Sequence, residues 1–406
     1  MYELKGKYTN AKITIDNLES ECLDQIRTFI NHPGFTNHVA IMPDAHTGKG
    51  SCVGFTMKLN PSKIIPQVIG VDIGCGVLSV NLGQNVPEIC TNKLDKKIRR
   101  NIPFGMNTYT MHDRWTVRME KEFPWKQANN KLNDFRLEWE KTFNEKFPHI
   151  EYNYNWFVNK CKELNITEQR IVNSLGTLGG GNHFIEFGKS EKTNDIWLTV
   201  HSGSRNFGKM ICEHWQRKTV NTSGIMIDKE LYYLEGADVF GYITDMIFAQ
   251  EYASFNRKRI ANNIFEILKT DTPIKPIEEI ESVHNYIDFS DWMIRKGGIR
   301  SYTGEKMVIP FNMRDGILIC EGKSNPTWNC SAPHGAGRVL SRSAAKKQIQ
   351  LEDFQKSMSG IFSTSVNQQT IDESPMAYKD CKIIENALEE TAVVVDKIKT
   401  IHNLKS

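Results

Sequence analysis

Short apolar runs separated by glycines dominate residues 36–80, as in HVAIMPD, SCVGFTM and QVIGVDIGCGVLSV. Runs of that length bounded by turn residues predict buried strands joined by tight loops. Residues 113–165 break the pattern: they are charged, aromatic-rich and nearly free of glycine, with many good helix formers, and they predict helices. Strand character returns in IWLTVHSGS, where the apolar run at 196–200 leads into His201 and a glycine turn. From Ala237 to Leu268 the positions Ile260, Ile264, Ile267 and Leu268 recur at helical spacing, which predicts a long helix or a helix pair. Glycine-marked short strands resume from 296 to about 330. Near the carboxyl end, Ile384, Leu388, Thr391, Val395, Ile398 and His402 fall on one side of a helix, with Asp380 as its N-cap and Lys397, Lys399 and Lys405 toward its end. The pattern predicts an α+β fold: a single compact unit over 1–406 with a helical insertion at about 100–165 and its chemistry at strand-to-turn junctions.

With 39% apolar and 24% charged residues, the composition is that of a soluble globular protein and excludes the disordered and collagen-like classes. No stretch reaches the 18 or so apolar residues of a spanning helix, and the amino terminus lacks an apolar signal core, so the expected location is the cytoplasm with no membrane partner. Nine scattered cysteines suit reduced thiols better than a disulfide framework, which makes any functional cysteine a metal ligand or a nucleophile. The 51 basic and 48 acidic residues nearly balance, so net charge does not choose a partner. Two basic runs, Lys96, Lys97, Arg99 and Arg100, then Arg342, Lys346 and Lys347, are either solvated faces or phosphate contacts.

Four turns place ionisable residues beside glycines: Gly70-Val-Asp-Ile-Gly-Cys-Gly76, Gly176-Thr-Leu-Gly-Gly-Gly-Asn-His183, His201-Ser-Gly-Ser-Arg205 and His334-Gly-Ala-Gly-Arg338. Glycine at that density costs conformational entropy, and the exposed backbone amides of such turns cradle phosphate oxygens. Asp72 and Cys75 share one turn, and His183, His201 and His284 supply imidazoles from other segments, a mixed O, S and N ligand set. This differs from a structural zinc knuckle, which wants paired CxxC or HxxxH spacing. A thiolate points toward zinc, whereas carboxylate and imidazole also accept manganese or iron, so residue chemistry leaves the metal open. His334 precedes Gly-Ala-Gly-Arg, where its ring reaches a bound phosphate and Arg338 offers a bidentate fork. A histidine there is a nucleophile forming a phosphoramidate, a further metal ligand or a general acid. The segment from His46 to Ser51 contains Gly-Lys without the glycine five residues before the lysine, so it is no P-loop.

In order along the chain, MPDAHTGKG, GVDIGCG, LGTLGGGNHFIE, HSGSR, HNY, RKG, HGAGRVLSR and PMAYKD resemble the RtcB-type RNA-splicing ligases from about residue 36 to the carboxyl end. The resemblance implies GTP and two manganese ions as cofactors. Cys75 would bridge both ions, with Asp72 and His183 completing one site and His201 and His284 the other. It implies that His334 is guanylylated, and that Asn182, His183, Phe184, Ile185, Glu186, His284, Asn285, Pro310, Phe311, Asn312, Met313, Gly335, Ala336, Gly337, Tyr378 and Lys405 surround the nucleotide. Arg205, Lys296 and Arg338 look like the family's phosphate-contacting residues. The implied partners are RNA with a 3′-phosphate or 2′,3′-cyclic phosphate end and RNA with a 5′-hydroxyl end, an accessory activating protein being a further candidate and a monomer the expected state. The implied reaction runs from His334 attacking GTP, through transfer of GMP to the RNA 3′-phosphate, to attack by the 5′-hydroxyl with release of GMP. This chain departs from the family pattern at Phe311, Asn312, Arg314 and Asp315, where small residues are usual, and at Val283, where some members carry another histidine. Those changes bear on nucleotide preference and on which RNA is sealed. The competing functions are a metal-dependent cyclic phosphodiesterase, which needs no nucleotidyl-histidine, and a non-catalytic RNA-end binder, which needs neither metal ligands nor nucleophile.

Overall fold

The computed structural model describes residues 1–16, 18–224, 226–268 and 274–406. In chain order its strands are β1 (Tyr2–Lys5), β2 (Asn10–Ile13), β3 (Val39–His46), β4 (Val53–Lys58), β5 (Gly76–Gly83), β6 (Phe184–Ser190), β7 (Ile196–Ser202) and β8 (Glu278–Val283). There follow β9 (Asn285–Asp288), β10 (Met293–Lys296), β11 (Gly298–Arg300), β12 (Lys306–Pro310), β13 (Ile317–Gly322), β14 (Ser331–Pro333) and β15 (Ala392–Leu404). One sheet has the order β1-β2-β3-β4-β10-β9, with only β2 and β3 parallel, and β11 pairs with β14.

The other sheet, β12-β13-β15-β6-β7-β5-β8, is antiparallel throughout and carries the site. It curls until its two edges meet, where the Val308 amide donates to Ser282 Oγ at 2.9 Å. Side-chain alternation sorts its residues into two sets. Val77, Phe184, Trp197, Ile280, Val308, Ile317, Ile319 and Ile398, drawn from all seven strands, fill the inside of the curl. Leu78, Val80, Ile185, Phe187, Leu198 and Val200 face outward, against Ile260, Ile264, Ile267 and Leu268 of the long helix Ala237–Leu268. That single helix realises the 3.6-residue spacing expected for it.

The stretch at 113–165 is helical as its composition predicts, through Met119–Glu122, Trp125–Phe143 and Tyr154–Glu163. Its aromatic residues explain the packing: Phe135 and Trp139 stack on each other and meet Trp292 edge-on. The segment QVIG, expected as strand, forms the helical turn Pro66–Ile69.

The carboxyl-terminal helix is a correction. Asp380 does cap a helix, its side chain accepting from the Lys382 amide, but that helix ends at Ala387 and residues 392–404 form β15, between β13 and β6. Val393, Val394, Val395, Ile398, Thr400 and Ile401 are β-branched, which stiffens χ1 and favours a pleated surface, and a register shift between Thr400 and His402 blurs the two-residue alternation. Among the described residues no helix is long and apolar enough to cross a membrane.

Candidate metal centre and active-site cavity

The inward set of the curled sheet ends in chemistry. Cys75 continues the inward positions Val77 and Ser79 of β5, His201 continues Trp197 and Thr199 of β7, and His284 continues Ile280 and Ser282 of β8. Strand parity therefore delivers all three to one mouth of the curl. Cys75 Sγ lies 3.3 Å from His201 Nε2 and 3.6 Å from His183 Nε2, and the Nε2 atoms of His201 and His284 are 3.4 Å apart. Asp72 Oδ2 is 3.0 Å from His183 Nε2. The five residues form two triads that share Cys75, the ligand atoms of each lying within 4.8 Å of one another.

Backbone carbonyls set the orientation of two of these rings. His183 Nδ1 donates to Leu178 O at 3.0 Å and His201 Nδ1 to Asn182 O at 3.1 Å, which leaves each Nε2 as a lone pair aimed at the centre. Burial pushes the pKa of His201 and of His284 well below the usual imidazole value, so both stay neutral. His284 Nδ1 is buried without a hydrogen-bond partner. The imidazole lone pairs of His183 and His201 converge on a thiol, a further imidazole and a carboxylate, and a cation at their focus would satisfy all of them, so the donor set fits a metal. Asp72 is the carboxylate of the set: burial opposes its ionisation, but charged neighbours such as Arg205 favour it and hold the carboxyl below the usual range. Its Oδ1 accepts from the Ser204 amide at 3.1 Å, and Gly203 passes so close that a Cβ there would sit 2.3 Å from the same oxygen. The glycine in HSGSR makes room for the carboxylate.

His334 follows β14 and faces the same mouth, its ring 4.7 Å from that of His284. Asp44, fully buried on β3, accepts three hydrogen bonds at Oδ2: from the His334 amide at 3.0 Å, the Gly335 amide at 3.2 Å and His334 Nδ1 at 2.5 Å. Since Nδ1 carries the proton, the lone pair of Nε2 is free and faces the mouth. The turn needs its glycines: at Gly337, with φ of 71°, a Cβ would stand 2.2 Å from Asp44 O. Sequence reasoning missed Asp44, although a carboxylate inside an apolar strand run is itself a sign of a buried partner.

A cavity of about 800 Å³ opens over these groups. Every site residue expected from the sequence lines it except His183, Ile185 and Arg205. His183 lies beneath, in the Asp72–Cys75 triad. The Ile185 side chain is turned outward by its parity on β6, into the core beneath the long helix, between the inward-facing Phe184 and Glu186. Arg205 donates from Nε to Thr177 Oγ1 at 3.1 Å and from Nη2 to Gly105 O at 2.9 Å. Lys296 reaches the cavity wall, yet its ammonium is bound by the carbonyls of Lys49, Ser51 and Gln67, and burial lowers its pKa to about 8. Arg338 is held by Asp372 O at 2.6 Å and by Glu373 and Tyr378, each at 3.3 Å. Glu373, absent from the sequence expectations, also binds Lys405 at 2.5 Å, Arg342 at 2.6 Å and the Tyr378 hydroxyl at 2.7 Å, and these partners overcome burial to lower its pKa to about 2. Of the basic runs, Arg99 contacts Lys405 O and Asp95, and Arg342 pairs with Asp372 and Glu373. In the departing loop Phe311 is packed in a core with Ile309 and Ala336, and Asp315 is held by Asn312 at 2.8 Å and Arg314 at 2.7 Å.

Glu186 gives a pH prediction. Burial raises its pKa to about 8, although Asn403 at 2.7 Å and Thr400 at 3.0 Å favour the charged form. Below pH 4.5 the group is protonated folded or unfolded and costs nothing. Between there and pH 8 the unfolded chain releases a proton that the fold retains, so stability falls as pH rises, by roughly 3–5 kcal/mol in all. Denaturant unfolding of wild type and Glu186→Gln from pH 4.5 to 9 should show the variant with the flatter dependence; parallel curves would exclude Glu186 as the source.

Residues 25–406 match the family described as tRNA-splicing ligase RtcB. The RNA-splicing ligase RtcB of Escherichia coli K12 is 30% identical over 408 residues, covering 95% of this chain and 94% of that protein. The tRNA-splicing ligases RtcB of Nanoarchaeum equitans and Pyrobaculum aerophilum are 26% and 28% identical, covering 95% and 87% of this chain and 91% and 84% of their own.

Proposed function

Because the chain belongs to the RtcB family of RNA ligases, we propose that it joins RNA ending in a 3′-phosphate or 2′,3′-cyclic phosphate to RNA with a 5′-hydroxyl, using GTP and two manganese ions and carrying GMP on His334. The observation that supports this most is the pairing of Asp44 with His334, which leaves a lone pair on Nε2 beside the two triads. A metal-dependent cyclic phosphodiesterase needs no nucleotidyl-histidine, and an RNA-end binder needs neither the triads nor the nucleophile.

Asp72, Cys75 and His183 would hold one ion and Cys75, His201 and His284 the other; bound there, manganese supplies neutralisation of phosphate charge. His334 Nε2 attacks the α-phosphorus of GTP, an N–P bond forms, and the P–O bond to pyrophosphate breaks. The ring becomes cationic as it attacks, and the Asp44 carboxylate opposite Nδ1–H stabilises that charge. The RNA 3′-phosphate oxygen then displaces His334 from phosphorus. Last, the 5′-hydroxyl oxygen attacks the activated RNA phosphorus, loses its proton to solvent, and GMP leaves. Glu186, Asn403, Tyr378 and Lys405 are placed in this reading around the base, and Arg338 and Arg342 near the phosphates. The protein acts in the cytoplasm, where its cysteines, all free, stay reduced.

The test is a joining assay with two synthetic RNAs, one ending in 3′-phosphate or cyclic phosphate and one beginning with 5′-hydroxyl, with manganese and GTP. A product of summed length, dependent on GTP, is the expected result. Opening of the cyclic phosphate without a joined product would replace the ligase reading with the phosphodiesterase.

A further inference from the structure

Behind the metal centre, the long helix carries a full cation with no exposure to solvent, Arg257. Its Nη1 donates to Gly74 O at 2.7 Å and to Ser202 O at 2.8 Å, the carbonyls of the residues beside Cys75 and His201. Its Nε donates to Glu281 Oε1 at 2.8 Å, on the strand that ends one residue before His284. The guanidinium lies against Gly76, where a Cβ would approach Cζ to 3.2 Å. The adjacent Asn256 works on the remaining segments. Its Oδ1 accepts from the Gly176 amide at 2.8 Å, and its Nδ2 donates to Ser202 Oγ at 3.0 Å and to Thr177 O and Gly203 O, both at 3.3 Å. Ser202 Oγ in turn donates at 2.8 Å to Leu178 O, the carbonyl that orients His183. Two consecutive side chains thus tie together the segments that carry all five ligands.

Burying an arginine costs several kcal/mol of lost hydration, and one carboxylate partner does not remove that cost. A planar fork, however, spans carbonyls on separate strands at fixed spacing, which a lysine's point charge or an apolar side chain cannot do. We propose that Arg257, assisted by Asn256, is a positioning residue that fixes the relative placement of the five ligand residues and thereby sets how tightly the centre binds its ions. The proposal rests on the metal-dependent reading given above. Neither residue belongs to the two triads; both act through backbone carbonyls and hydrogen bonds one step removed from the ligands, the kind of support whose loss typically weakens metal affinity about 10–100-fold.

The experiment compares wild type with Arg257→Lys, Arg257→Met and Asn256→Ser, each stripped of metal and titrated with Mn2+ by calorimetry, then with Co2+ to read the thiolate-to-cobalt absorption. The expected result is affinity weakened on the order of 10–100-fold and an altered cobalt spectrum. The rise in melting temperature that Mn2+ gives the wild type should shrink in the variants, beyond any change in the metal-free protein. A purely structural role would lower the metal-free melting temperature and leave affinity and spectrum alone, and that outcome overturns the proposal. If Arg257→Met does not fold, Asn256→Ser, which removes hydrogen bonds without leaving a buried charge unpaired, decides the question by the same readings. A wild type that takes up no Mn2+ would instead overturn the metal-dependent reading itself, so the two failures are told apart by the control.

Discussion

Asp44→Ala should lower nucleotide transfer to His334 by on the order of 10⁴-fold, the scale seen when a carboxylate that orients and stabilises a catalytic imidazole is removed. Asp44 does two separable things. Its Oδ2 accepts the Nδ1 proton and the amides of His334 and Gly335, which fixes tautomer and turn, and its charge faces the ring that becomes cationic on attack. Asp44→Asn keeps the first, because an amide oxygen can accept the same three bonds, but loses the second. A charge-assisted hydrogen bond is worth roughly 1.5–3 kcal/mol, so the asparagine variant should be slower by about 10–100-fold, between wild type and alanine. Single-turnover labelling of the three proteins, with melting curves to confirm folding, checks the order. Equal rates in all three would mean that His334 does not depend on Asp44.

Cys75→Ala should remove both ions together, because its sulfur belongs to both triads. His183→Ala takes a ligand from only one triad and should leave Cys75, His201 and His284 able to hold a single ion. Metal content after dialysis therefore separates them: about two ions per chain for wild type, about one for His183→Ala and near none for Cys75→Ala, as expected for shared against unshared ligands. Joining activity should fall below detection in the cysteine variant. Two retained ions in Cys75→Ala would show that the sulfur is not a common ligand.

The residues that the fold gathers around the cavity are the most legible part of the sequence, for a physical reason. Backbone that must pass close to a carboxylate or a turn needs glycine, so Gly203 beside Asp72 and Gly337 beside Asp44 mark the site in the chain itself. Strand alternation then explains which neighbours point inward, and the same rule turns the Ile185 side chain outward, between two inward residues on β6. What could not be read was long-range pairing. Asp44 and His334 are 290 residues apart, and Glu373 gathers Arg338, Arg342 and Lys405 from separate segments. Lys296 looks like a free cation in RKG, and only the fold reveals the three carbonyls around its ammonium. The strand β15 was hidden for a related reason: Val395, Ile398 and His402 keep helical spacing, while the partners that make them a strand, β13 and β6, lie far away in sequence.

Whether His334 carries the nucleotide is read directly by labelling the protein. Purified protein is incubated with Mn2+ and GTP labelled at the α-phosphate, then separated under denaturing conditions beside His334→Ala. An acid-labile label on the wild type, as a phosphoramidate requires, and none on the variant is the expected result. An unlabelled wild type that holds its metals, with GTP and with ATP, or a label that survives in His334→Ala, would contradict it.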